Sequence, residues 1–177
     1  MNYRVIGKNI LRIVLVAGII FWMTVIFGFS AAEGEMSQST SDMITEIIVE
    51  NIYADYDSMP IEKQKEIWEN ISFAVRKTGH FGEYGILAVL VSGLLLTFDR
   101  VVKNKKWLLF AVAFCAVYAI TDEIHQGFVA GRSPKFMDVC IDTAGAACGT
   151  AFIVWINNIA VLLRQLEGPK LHRGKCS

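Results

Sequence analysis

Four apolar runs, at 13–29, 84–98, 107–120 and 136–163, constrain this chain more than anything else in it. A helix needs about 20 apolar residues to cross hydrocarbon, and backbone in lipid must satisfy its own hydrogen bonds. Four such runs therefore point to a bundle of membrane-spanning helices. The second and third runs are short. They reach across only if their polar ends, 77–83 and 121–126, continue as helix into the interface, which gives spans at 78–98 and 107–126 beside those at 13–29 and 136–163. A hydrophobic content of 54% is too high for an ordinary soluble fold, and 177 residues make one membrane domain. The expected class is all-α: a polytopic membrane protein of four transmembrane helices, with short amphipathic helices between spans one and two.

Charge sets an expected orientation. Eleven of the 17 Lys and Arg residues lie in the amino-terminal tail (Arg4, Lys8, Arg12), the 99–106 loop (Arg100, Lys103, Lys105, Lys106) and the carboxy-terminal tail (Arg164, Lys170, Arg173, Lys175), beside only Asp99 and Glu167. The remaining six share the other side with fifteen of the 17 acids, so zero net charge hides a strong asymmetry. Basic residues near span ends stay cytoplasmic. Both termini are thus expected in the cytoplasm, and the opposite ends of the spans outside it. Nothing in this pattern calls for nucleic acid.

The segment between spans one and two, 30–77, reads as two amphipathic helices. Met43, Ile44, Ile47, Ile48 and Ile52 recur at helical spacing after the candidate cap Ser41; Ile61, Trp68, Ile71 and Val75 do so after Pro60, with a break at 53–59. Each stripe is backed by an acidic face, so the pair is expected to lie on the membrane surface or cover the ends of the spans. Basic residues, an apolar run and Ser30-Ala31-Ala32 resemble a cleavable signal, but the run is long and holds Trp22; it reads as an uncleaved anchor. Cys115, Cys140 and Cys148 fall within spans and Cys176 in the tail, which suggests buried packing rather than a disulfide framework. Gly145 and Gly149 make a Gly-x-x-x-Gly spacing, with Gly85, Ala88 and Ser92 as a weaker small face on span two. That spacing suits a contact between spans two and four, and equally a dimer.

Chemically capable side chains gather at one end of three spans. Arg76, His80 and Glu83 share a helical stripe; Asp122 reaches His125 or Gln126 one turn on, with Glu123 rotated about 100° away; Asp138 and Asp142 again share a face. Ser133-Pro134 has the form of a helix start whose amides, with Arg132 and Lys135 beside them, suit a phosphate or carboxylate. Ionisable residues at membrane level are costly and default to a functional hypothesis. Two histidines and five carboxylates make a divalent-metal ligand set, an acid/base site or a salt-bridge network fixing the helix ends.

The run Thr121-Asp122-Glu123-Ile124-His125-Gln126-Gly127-Phe128-Val129-Ala130-Gly131-Arg132-Ser133-Pro134, followed by Asp138-Val139 and Asp142-Thr143-Ala144-Gly145, resembles the signature of the VanZ-like membrane proteins. Arg76-Lys77, His80-Phe81 and Glu83-Tyr84 are similar to that family's other motif. Ala130 stands where the family usually has proline, and 30–75 carries no family motif. The resemblance implies a bacterial cytoplasmic-membrane protein. The family's namesake is associated with reduced susceptibility to teicoplanin-type glycopeptides, whose target is the peptidoglycan precursor at the outer membrane face.

The expected function is action on, or recognition of, an anionic lipid-linked envelope component at an outward-facing site. In that reading Arg76, Gln126, Arg132, Ser133 and Lys135 hold the ligand and His80 and His125 move protons. Glu83, Asp122, Glu123, Asp138 and Asp142 orient them or hold a divalent metal. The residues are compatible with catalysis and with binding alone. A non-enzymatic accessory protein with a structural polar network is the main alternative. A small ion or proton transporter is less favoured, because 86–96 offers only Ser92 as a polar side chain. In a background without native cysteines, a cysteine at Ser39 or Lys135 is expected to react with an impermeant maleimide on intact cells, and one at Lys103 only after permeabilisation. The reverse labelling pattern would overturn the outward-facing site.

Overall fold

The computed structural model describes residues 3–31, 34–98, 101, 105–129 and 134–166. Five α-helices follow in order: α1 (Tyr3–Ala31), α2 (Gly34–Ile52), α3 (Ile61–Leu96), α4 (Lys106–Gln126) and α5 (Phe136–Leu166), with a 3-10 turn at Tyr56–Ser58. No strand occurs among the described residues. Helices α1, α3, α4 and α5 are each long and apolar enough to cross a membrane. Their packing follows lipid rules: Ala88, Ser92, Ala111, Cys115 and Ala119 are buried, while Ile20, Phe21, Leu109, Phe110 and Trp155 face outward. Small residues inside let backbones approach, and the large apolar ones are left for acyl chains.

Helix α3 differs from the expected division into a surface helix and a separate span. It runs unbroken for 36 residues. Gly79 and Gly82 lower propensity without stopping it, since neither is a proline and both keep helical hydrogen bonding. At 1.5 Å per residue it is about 54 Å long against about 30 Å of hydrocarbon, so its charged first part extends beyond the bilayer. Helix α2 packs along α3 after the chain reverses at 53–60, and the reversal is pinned by Tyr56 Oη donating to the Gln64 carbonyl (3.0 Å) and Gln64 Nε2 to that of Met59 (2.9 Å). Ser41 does not cap α2. The helix already begins at Gly34, and the Ser41 carbonyl accepts the Thr45 hydroxyl inside it at 2.7 Å.

The principal seam joins α3 to α5. A Cβ added at Gly145 would overlap the Phe81 carbonyl, and one at Gly149 would overlap that of Gly85; a Cβ at Gly85 would stand 3.4 Å from the Gly145 carbonyl. The Gly-x-x-x-Gly spacing therefore serves an intrachain contact, closed farther along by the Ser92 hydroxyl donating to Thr150 (3.4 Å). Helix α1 packs on α3, where Leu90 meets Gly18 and Leu15 meets Gly93. Trp22 Nε1 donates to the Glu83 carbonyl (2.9 Å), and Tyr118 Oη on α4 donates to that of Met23 (2.6 Å). At the far end Arg12 closes α3, donating to the Thr97 hydroxyl and carbonyl at 3.0 and 2.8 Å; a cation there complements the helix C-terminus. Of the cysteines, Cys115 is buried as expected, but Cys140 and Cys148 lie on the exterior of α5, and Cys176 falls outside the described residues.

Because the atoms facing Gly145 are backbone and cannot rotate away, Gly145→Ala and Gly149→Ala should each destabilise the bundle by about 2–3 kcal/mol. Gly28→Ala, where a Cβ would meet nothing within 4 Å, should be neutral or slightly stabilising. Unfolding in mixed micelles reads both. Equal behaviour of the three would mean that the seam tolerates separation.

Candidate functional site

Helices α1 and α4 run toward one end of the bundle, and α3 and α5 run away from it. The polar motifs meet there. Since the glycine seam draws α5 against α3, its short aspartates reach across: Asp138 pairs with Lys77, and Asp142 Oδ1 stands 3.7 Å from His80 Nδ1. Glu123 Oε2 accepts the Lys135 backbone N–H at 2.7 Å, tying the end of α4 to the start of α5. One amide of that helix start is thus held by a protein carboxylate instead of being presented to a ligand. Asp122 finds Gln126 rather than His125. Gln126 Nε2 donates to Asp122 Oδ2 (3.0 Å) and to the Ser30 hydroxyl (2.8 Å), fastening α4 to α1.

His125 is directed elsewhere. Its ring stacks on Phe27 of α1, with centroids 4.4 Å apart and planes 29° from parallel. The Lys135 side chain is exposed. Arg132 and Ser133, expected to hold an anion, lie outside the described residues.

A cavity of about 170 Å³ opens between α1, α2 and α3. Its polar wall is the α3 stripe Arg76, His80 and Glu83 with the hydroxyls of Ser30 and Ser41; Ile26, Phe29, Ile44 and Val75 form the apolar remainder. Behind His80 stands a layer of buried groups. Tyr84, Asp122 and Asp142 are each at most 3% exposed. No hydrogen-bond partner reaches Tyr84 Oη, Asp122 Oδ1 or Asp142 Oδ1 among the described residues. Such orphaned atoms are rare enough in folded proteins to demand a reason. Among the described residues no three His, Cys, Asp or Glu side chains are arranged to hold a metal ion. The donor set expected from the sequence is split: Glu123 and Asp138 are held by Lys135 and Lys77, while His125 stacks on Phe27 with its Nε2 buried and without a hydrogen-bond partner among the described residues.

The family model for VanZ/LLP1 matches residues 15–157, from α1 into α5. The chain belongs to the VanZ/LLP1 family. No curated protein and no solved structure matches it. In this VanZ/LLP1 protein the match spans the 30–75 segment that carries no motif of its own, and α2 from that segment supplies Ser41 and Ile44 to the cavity.

Three contributors were missed among the expected site residues. Lys77 and Tyr84 both lie in the motif that resembles the family's, and charge at Lys77 beside two aspartates at Asp138 and Asp142 was the available signal for the first. Ser30 carried none, because its contact with Gln126 joins positions 96 apart in sequence. Removing one partner of a mostly buried pair costs more than removing both. Asp138→Asn should therefore destabilise the VanZ/LLP1 protein by about 1–3 kcal/mol, and adding Lys77→Met should recover much of that loss. Additive losses in this double-mutant cycle would show that the two side chains are not coupled.

Proposed function

We propose that this VanZ/LLP1 membrane protein recognises an anionic, lipid-linked component of the bacterial envelope, with its motif end facing outward. The observation that carries the reading is the two-sided cavity between α1, α2 and α3. A phosphate or carboxylate at Arg76 and His80 leaves whatever carries it against Ile26, Phe29, Ile44 and Val75. Arginine suits oxyanions because its planar fork donates in pairs. Asp142 stands behind His80, so a carboxylate backs the ring that faces the bound group. Gln126 and Glu123 act as fasteners of the helix ends that frame the cavity. The family's association with teicoplanin-type glycopeptides fits a site at headgroup level.

Reconstituted in phosphatidylcholine nanodiscs, the protein should bind added phosphatidylglycerol. Arg76→Gln should weaken that binding about tenfold, equivalent to about 1.4 kcal/mol, whereas Lys63→Gln on the exposed start of α3 should not. Binding that is indifferent to Arg76 would remove the anion site.

A further inference from the structure

The cavity wall holds two opposite charges that no described residue matches. Neither Arg76 nor Glu83 makes a hydrogen bond or ion pair through its side chain with any described residue. Their neighbours contrast with them: Lys77 is paired with Asp138, His80 faces Asp142, and Glu123 and Gln126 have partners of their own. An unpaired arginine at a rim is ordinary, since exposed pairs contribute little. A half-buried glutamate with no cation beside it is not. A purely anionic ligand would answer Arg76 and leave Glu83 without a counter-charge.

We propose that the cavity takes a zwitterionic group, with a phosphate or carboxylate at Arg76 and an ammonium at Glu83. This rests on the anion reading above and adds a cation to it. The surroundings agree. The segment 30–75 that frames the cavity carries ten acidic residues against Lys63 and Lys65, a field that draws in a positively charged tip.

The order of the two charges narrows the source. Arg76 and Glu83 are seven positions apart, about 10 Å along α3, and Glu83 is the one beside the apolar stretch. The ammonium therefore enters first and the anion stays at the rim. A bilayer lipid such as phosphatidylethanolamine presents the reverse order, with its phosphate nearer the hydrocarbon. The ligand is instead a group whose ammonium is terminal, whose anion lies several bonds behind it on the carrier, and which approaches from the aqueous side.

The test uses the whole protein in phosphatidylcholine nanodiscs, titrated calorimetrically with 4-aminobutyl phosphate and with butyl phosphate, which differ only by the amine. The amine should tighten binding about tenfold, Glu83→Gln should abolish that preference without weakening butyl phosphate, and Arg76→Gln should weaken both. If Glu83→Gln loses butyl phosphate binding as well, Glu83→Asp, which keeps the charge, must retain the preference. Phosphatidylethanolamine included in the discs should leave the affinity for 4-aminobutyl phosphate unchanged; competition by that lipid would overturn the aqueous approach and assign the cavity to a bilayer headgroup. Equal affinities for the two phosphates, or a preference that survives Glu83→Gln, would overturn the zwitterion while leaving the anion reading intact. Failure of both phosphates to bind would sink both readings.

Discussion

The rest of the molecule depends on how closely the backbone of α5 lies against that of α3. At Gly145 and Gly149 there is no room for a Cβ, so the two helices meet carbonyl to Cα. In lipid, where no hydrophobic force drives helices together, such contact is a main source of association. It also fixes register. With α5 held so near, Asp138 and Asp142, which have short side chains, can touch Lys77 and His80. A wider seam would leave the same residues in the same order with nothing to meet.

From that seam the polar end sorts itself into two populations. Lys77, Asp138, Glu123 and Gln126 are consumed in joining helices, a structural use of polar groups at the membrane boundary. Arg76 and Glu83 make no such side-chain link among the described residues, and they face a cavity with His80 between them. Of the alternatives weighed for the whole constellation, the structural network thus has identifiable members, while Arg76, His80 and Glu83 line a cavity on another face of the same helices. A third group, Tyr84, Asp122 and Asp142, is buried behind His80 with polar atoms that have no hydrogen-bond partner among the described residues.

The long α3 links these two roles. Its apolar part spans, and its charged first part continues past the hydrocarbon to receive α2. Because the helix is unbroken at 76–83, the stripe Arg76, His80 and Glu83 lies on one rigid face, with the cavity framed on one side by α2 and on the other by the end of α1. A break there would have released Arg76 from Glu83.

The sequence alone determined the number of spans and the end at which chemistry gathers. Both follow from solvent physics, since apolar runs must be in lipid and charges must leave it. Motif resemblance likewise reached the family. Helix continuity across 75–84 was less legible, because the change from an acidic amphipathic pattern to an apolar one looks like a boundary although no residue there stops a helix. Which charges are partners was hidden altogether. On one helix Asp122 had His125 and Gln126 within equal reach, and only the arrival of Ser30 from α1 and Phe27 beside His125 chose between them. Pair formation depends on a separation of a few ångströms across elements far apart in sequence. That separation was set by the glycine seam, so it was the tertiary structure that decided which polar residues bind the protein together and which line the cavity.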